Sequence, residues 1–392
     1  MVQKYEITDV SMIQESPSSL PRNVTLKVGN RSLNHISKCT ERTTDLRTIE
    51  STKDKKVLNE CYIDLSLTKL RELDSNRSAQ DQYIYSRSKF LDKGMINVLM
   101  VKLRLEGNDV LDDQDYEYLN ALLSWKSNDI YVMPILEFDD KNRSDMVTIY
   151  NDFVKKMLIE KDSWTTDINI GMSIPQMYPR RSIKDLFEIY SDEKPTFIAV
   201  DFNNSRMDRP SDVTGTILKH FKEENEENTF LYGVNVKPYK RGAENTSAWD
   251  IYMVHGSFNA IGPTHSKPRA MTLPGDWNNF GRMFDPNTVQ YQSIDSEHRD
   301  VFIDWMKTSY DTDIGADFKR NEMRLYPFLK RYNFQSANSV LSDFSTAIRE
   351  YDLDYFNHMF EAMPTEMKTV NIMKESKKRV RRSDTGCSGN TA

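Results

Sequence analysis

Apolar residues fall in two different rhythms along this chain, and the rhythm changes near residue 95. Up to residue 94 the sequence is polar, and apolar positions alternate only in Val24–Val28, closed by Gly29-Asn30, and in Cys61–Leu67. From Met95 short, strongly apolar runs alternate with longer runs of helical spacing. The short runs predict strands at 96–105, 129–138, 168–174, 196–202, 229–236 and 257–261. Helical spacing predicts helices over 113–125, 144–160, 182–190, 211–224 and 245–254, the first with an acidic first turn. Such alternation is the pattern of parallel strands joined by right-handed crossovers. A doubly wound open sheet and a (β/α)8 barrel both satisfy it. No G-x-G-x-x-G follows a strand and no G-x-x-x-x-G-K-[ST] occurs, which removes the commonest marks of nucleotide-binding open sheets. The expected fold is α/β, a (β/α)8 TIM-like barrel with a C-terminal helical extension, and strands before residue 95 can complete it.

The same reading divides the chain. Residues 1–94 form a polar, partly strand-forming segment, and 95–275 the barrel core. Residues 276–365 are loop-rich up to about 315 and then helical over 317–363, and 366–392 make a basic, small-polar tail expected to be disordered.

Composition narrows the class. The 392 residues are 38% hydrophobic and 29% charged, an ordinary globular balance. A formal net charge of −6 disfavours a generic basic nucleic-acid binder but not a local basic patch. Cys39, Cys61 and Cys387 are far apart and form no C-x-x-C pair, which argues against a disulfide framework or a cysteine zinc site. Met1 is followed by polar sequence, so no signal peptide is expected, and no apolar run reaches the roughly 18 residues of a membrane span. The expected compartment is the cytoplasm.

In a barrel, chemistry gathers at the carboxyl ends of the strands. The polar residues there are Glu137, Asp139 and Asp140; Asp201, Asn203 and Asn204; Asn235 and Lys237; and Asn259, Thr264 and His265. Two carboxylates facing one cavity can act as acid and base, or hold the edge of a base or a metal. The competing reading is that loop acids simply cap the following helices; Asp201, which interrupts an apolar strand end, weighs against it. None of the six histidines pairs with another at i, i+4, so no helix-borne metal motif exists. His265, in a Gly-Pro-Thr-His turn, is the best placed of them. Lys377, Lys378, Arg379, Arg381 and Arg382 in the tail can contact nucleic-acid backbone, as can Lys237, although such runs are more often solvated.

Two stretches carry a family resemblance. Tyr232-Gly233-Val234-Asn235 and Phe258-Asn259-Ala260-Ile261-Gly262-Pro263-Thr264-His265 resemble the last unit of tRNA-guanine transglycosylases, with their Met-Gly-Val-Gly and Phe-Asp-Cys-Val-x-Pro-Thr-Arg segments. Upstream, the strand ending at Phe138-Asp139-Asp140 resembles the family strand whose terminal Asp reads the base. Gly171-Met172-Ser173-Ile174 resembles its Gly-Ile-Val-Gln, Ile198–Phe202 its Gly-Gly-Leu strand, and the helices at 317–350 its C-terminal region. The departures are as informative. The family's nucleophilic Asp falls on Asn259, and an amide cannot capture an anomeric carbon as a carboxylate does. The Asp-Ser-Gly-Gly-Phe segment has no counterpart, and where the Cys-x-Cys-x-x-Cys zinc loop belongs the chain has Asp311, Asp313 and Asp317. What the resemblance implies is a transglycosylase-like barrel that has lost base exchange and binds a purine-like base or nucleic acid (tRNA or DNA), alone or as a subunit of an oligomer. Asp139, Asp201, Asn235, Asn259 and His265 would line the pocket, with no metal and no cofactor. The alternatives are an active exchange enzyme with Asp140 or Asp201 as relocated nucleophile, including the DNA-acting branch, and a purely structural protein.

Overall fold

The computed structural model describes residues 5–12, 21–41, 57–88, 91–107, 109–123, 128–138, 145–161, 169–175, 178–193, 195–205, 216–217, 229–239, 245–265, 282–294, 296–310 and 322–363. A three-stranded antiparallel sheet comes first: β1 (Tyr5–Met12), β2 (Arg22–Val28) and β3 (Arg31–Leu33). The main sheet holds β4 (Ser37–Lys38), β5 (Thr40–Glu41), β6 (Leu58–Ser66), β7 (Ile96–Leu105), β8 (Ile130–Val132), β9 (Ile135–Phe138), β10 (Ile170–Ile174), β11 (Phe197–Asp201), β12 (Phe230–Val234) and, after a further strand described below, β14 (Ala260–Ile261). Every pairing within it is parallel. β4 and β5 are one extended segment interrupted at Cys39, and β8 and β9 one strand interrupted at Met133-Pro134, which leaves eight strand positions. The segment 37–41 bonds β14 through β4 and β6 through β5, so one short stretch of chain touches strands from opposite ends of the order. This is a mixed α/β architecture compatible with a TIM-like fold.

Why these residues form this sheet is a matter of alternation. Side chains of a strand point alternately to its two faces. In β6 and β7, Cys61, Ile63, Leu65, Leu99, Val101 and Leu103 pack with the helices. Their neighbours Leu58, Val98 and Met100 join Ile130, Val132, Phe197, Ala199, Phe230, Tyr232 and Ala260 in a second apolar cluster on the helix-free face. Both faces are buried, which is why the strands are written as near-continuous apolar runs. Gly171 belongs to that dense interior: a Cβ there would stand 2.9 Å from the Phe197 ring and 3.2 Å from the Phe197 carbonyl oxygen.

The amino-terminal sheet closes one end of the helix-free face. Val24, Leu26, Val28 and Leu33 complete its apolar cluster. Arg31 makes a two-pronged ion pair with Asp129, at 2.6 and 2.7 Å, and donates to the Met95 carbonyl at 2.6 Å. Arg22 donates to the carbonyl of Thr229. Met95, Asp129 and Thr229 each precede a strand of the main sheet, so the cap lies at the amino ends.

Helices cover the other face. In α1 (Leu67–Asp74), Ser66 caps the amino terminus by accepting from the Lys69 N–H, and Leu67, Leu70 and Leu73 are buried at helical spacing. The rest are α2 (Arg77–Ser88), α3 (Asp113–Leu123), α4 (Met146–Lys161), α5 (Ile183–Ile189), α7 (Glu322–Glu350) and α8 (Leu353–Ala362), while α6 (Ser296–Tyr310) joins a separate apolar cluster with α7 through Phe302, Met306, Leu329 and Tyr332. α7 holds the joining segment in place: Ser345 Oγ accepts from the Ile36 N–H at 2.7 Å, and Asn338 Oδ1 from the Lys38 N–H at 2.8 Å. No helix among the described residues is long and apolar enough to cross a membrane.

Three expectations are corrected. Residues 245–254 are not an α-helix: Asn245–Ser247 is a strand, β13, and Ile251–Gly256 a 3-10 turn. The region 275–315 is not all loop, since it contains β15 (Arg282–Asp285), β16 (Gln290–Ser293) and α6. β13, β15 and β16 form one antiparallel sheet, so long-range pairing overrides the local helical spacing of 245–254. A buried triad pins that sheet to the main one: Lys38 Nζ lies 2.6 Å from Asp250 and 3.1 Å from the Tyr291 hydroxyl, which donates to Asp250 at 3.0 Å. The strand expected at 257–261 is only Ala260–Ile261. The helix expected at 211–224 and the tail 366–392 fall almost wholly outside the described residues.

His255 gives the core a pH dependence. It is fully buried among Tyr252, Phe344, Phe356 and Phe360, and burial pushes its pKa down to about 3. In the unfolded chain a histidine titrates near 6.5. As pH falls, the unfolded state therefore takes up the proton first. Stability from this group is intact above about pH 7 and is lost progressively from about 6.5 toward about 3, by roughly 2 kcal/mol between pH 7 and 5. Urea unfolding at those two pH values is expected to show that part of the loss in the parent chain and not in His255→Leu; equal losses in both would contradict it.

Candidate functional site

Along the helix-free face the side chains change character from amino to carboxyl end. β6 sends Leu58, Glu60, Tyr62 and Asp64 there in turn, and β7 sends Val98, Met100, Lys102 and Arg104. The parallel register sets Asp64 opposite Lys102, and Arg104 opposite Glu137. β11 contributes Asp201 after Phe197 and Ala199, and β12 contributes Tyr232. The chain after β14 adds His265. A polar cluster thus sits on an apolar floor at the carboxyl ends.

Its members hold one another. Glu60 is buried, and its carboxyl accepts from the Tyr232 hydroxyl and bonds His265 Nε2. The His265 ring stacks on Tyr62 with centroids 3.7 Å apart and planes 3° from parallel. Asn235 Oδ1 accepts the His265 N–H at 2.9 Å. Lys102 is buried; its Nζ lies 3.0 Å from Glu137 and donates to Asn203 Oδ1 at 3.1 Å. Arg104 pairs with Asp64 at 2.8 Å.

Two asparagine turns shape the ends of β11 and β12. Asn203, Asn204 and Asn235 have φ of 43°, 57° and 57°, left-handed values that asparagine tolerates better than most residues. Asp201 Oδ1 accepts the Asn203 N–H at 2.8 Å, and the Asn204 N–H donates to the Asn235 carbonyl at 2.8 Å. The two turns are bonded side by side, and between them they place Asp201, Asn203 and His265.

Asp201 is the exception to the pairing. It is 4% exposed, and apart from the Asn203 bond no hydrogen bond or ion pair among the described residues reaches it. Burial raises its pKa to about 6; Lys102 and the Asn203 bond oppose the shift, Glu137 adds to it, and His265 opposes it. The Tyr62 hydroxyl is pushed far above its usual range, first by burial and then by Asp201, Asp64, Glu60 and Glu137. A carboxyl that titrates near neutral pH can accept hydrogen bonds from a ligand or exchange a proton with it.

The structure brings Asp201, Asn235 and His265 together. Asn259 is elsewhere. Its Oδ1 accepts the Leu231 N–H at 3.0 Å and its Nδ2 donates to the Arg22 carbonyl at 3.4 Å, so it serves the amino-end cap. It directly precedes β14, whereas the cluster lies beyond that strand's other end. Lys237 is half-buried and its N–H donates to the Ser205 carbonyl at 3.1 Å. Asp139, Asp140, Lys377, Lys378, Arg379, Arg381 and Arg382 lie outside the described residues. Glu60, Tyr62 and Lys102 were missed. The signal was available: period-two reading of LNECYIDLS and INVLMVKLRL puts them on one face, in strands otherwise apolar. Among the described residues no group of three His, Cys, Asp or Glu stands close enough to hold a metal ion.

No protein-family model matches the sequence, and no curated protein matches it. Among solved structures, CutC from Streptococcus agalactiae is similar over 59% of this chain and 100% of its own, at 14% identity and a TM-score of 0.33. A likeness at that level says nothing of activity.

Gly262 measures how closely the cluster is packed. A Cβ there would lie 2.9 Å from the Gly233 carbonyl oxygen, 2.9 Å from the Tyr232 hydroxyl and 3.0 Å from Glu60 Oε2. Gly262→Ala is expected to cost about 1–3 kcal/mol in urea unfolding. An unchanged unfolding midpoint would show that Glu60 and Tyr232 are not held as described.

Proposed function

We propose that the protein is a closed (β/α)8 barrel whose carboxyl-end cluster binds a planar ligand presenting N–H donors to Asp201, with a purine-type base, free or within tRNA or DNA, as the leading candidate. The observation that carries the reading is Asp201 itself: a buried carboxyl with one bond to its own turn and no side-chain partner among the described residues. Closure of the barrel is supported by segment 37–41, bonded on one side to β14 and on the other to β6. The purine class is supported by the resemblance to tRNA-guanine transglycosylases. Asn259, occupied with backbone groups at the amino end, takes no part in this pocket.

Donors pair with the ionised carboxylate, so affinity is expected to hold above pH 6 and weaken below it. With a pKa of about 6, titration calorimetry with 7-deazaguanine should give a Kd about tenfold weaker at pH 5 than at pH 7. Asp201→Asn should weaken binding by at least about tenfold and flatten that dependence. Binding indifferent to Asp201→Asn would overturn the proposal. The pKa also favours a second reading, an enzyme in which Asp201 exchanges a proton with the ligand or attacks it. Asp201-dependent incorporation of labelled 7-deazaguanine into tRNA or duplex DNA would select that reading.

A further inference from the structure

The charge inventory of the cluster goes beyond a hydrogen-bond donor. Four carboxyl groups, Glu60, Asp64, Glu137 and Asp201, stand close enough to Tyr62 to act on its hydroxyl electrostatically. Two cations among the described residues accompany them, Lys102 ion-paired to Glu137 and Arg104 to Asp64; Lys102 also acts on Asp201 electrostatically without pairing to it. Glu60 is held by Tyr232 and His265. One carboxyl, 4% exposed, is left with neither an ion pair nor a side-chain partner among the described residues. A buried carboxylate with no ion-pair partner is costly, and a cation bonded to it recovers part of that cost. An anionic group placed at that point would meet the opposite field.

Resting on the reading of Asp201 as the ligand-facing group, we propose that the natural ligand is cationic at that point, carrying an amidinium, guanidinium or ammonium group that forms an ion pair with the Asp201 carboxylate. Planar amidinium and guanidinium groups fit best, because they present two parallel donors to one carboxylate. The neighbouring Tyr62–His265 stack supplies an aromatic wall that a flat cation tolerates.

The test compares benzamidine with benzamide, which share a shape and differ in charge, by titration calorimetry on the full chain. Benzamidine is expected to bind at least about tenfold more tightly than benzamide at pH 8. At pH 6 its binding should release about half a proton per site, read from buffers of different ionisation enthalpy, and at pH 8 none. Asp201→Asn should bring benzamidine down to the benzamide level. Its far-UV dichroism and urea midpoint should match or exceed the parent's, since an isolated buried carboxyl has been removed. Lys102→Met, which removes the nearby cation, should strengthen benzamidine binding several-fold. Equal binding of the two probes, or benzamidine binding insensitive to Asp201→Asn, would overturn the proposal. Asp201-dependent binding of 7-deazaguanine without binding of benzamidine would overturn the cationic class and leave the Asp201 site standing. Failure of both ligands would overturn both.

Discussion

Burial on both faces is the constraint on which this structure depends. A parallel strand packed against helices on one side and against other strands' side chains on the other must be apolar at nearly every position. β7 shows it: Leu99, Val101 and Leu103 go to the helices, and Val98 and Met100 to the helix-free interior. Any polar side chain on that inner face must bring its partner with it. The site follows from that rule, because its residues are the inner-face positions where apolar side chains stop.

Seen in these terms the cluster is a set of forced pairings. Glu60 is satisfied by Tyr232 and His265, Lys102 by Glu137 and Asn203, and Arg104 by Asp64. The asparagine turns after β11 and β12 take up the left-handed backbone that sets these groups in place. Asp201 breaks the rule, and its raised pKa expresses the cost of doing so. The opposite end obeys it: Arg31, Asp129, Asn97, Asn59 and Thr40 form one continuous hydrogen-bonded chain under the amino-terminal cap. One end of the sheet is sealed by complementary partners, and the other keeps a buried carboxyl with no side-chain partner among the described residues.

Much of this was legible in the sequence. Strand–helix alternation from Met95 onward gave the parallel sheet, because apolar runs of that length are what two-sided burial requires. Asp201 stood out as a charge closing an apolar strand. Glu60 and Lys102 did not, because a single acid or base inside an apolar run looks like noise until strand pairing shows which face it shares. The small sheet of β13, β15 and β16 was hidden for a related reason: its strands are three or four residues long, β15 and β16 pair as a local hairpin, and β13 finds its partner β16 only 43 to 47 residues further on, while 245–254 by itself has helical spacing. Asn259 was misplaced by a register drawn from Phe258 and Pro263-Thr264 alone. That register fixes a position along the chain but not the end of the sheet at which the side chain works.

Asp201 is a buried carboxyl with no ion-pair partner among the described residues, and its titration can be measured without knowing the ligand. Carbon-13 labelling of aspartate side chains, with Asp201→Asn to assign the resonance, follows its carboxyl directly as pH is changed. A midpoint near 6 is the predicted result. A midpoint near 3.9, the value of an ordinary aspartate, would mean that the carboxyl is solvated or paired and would contradict the account.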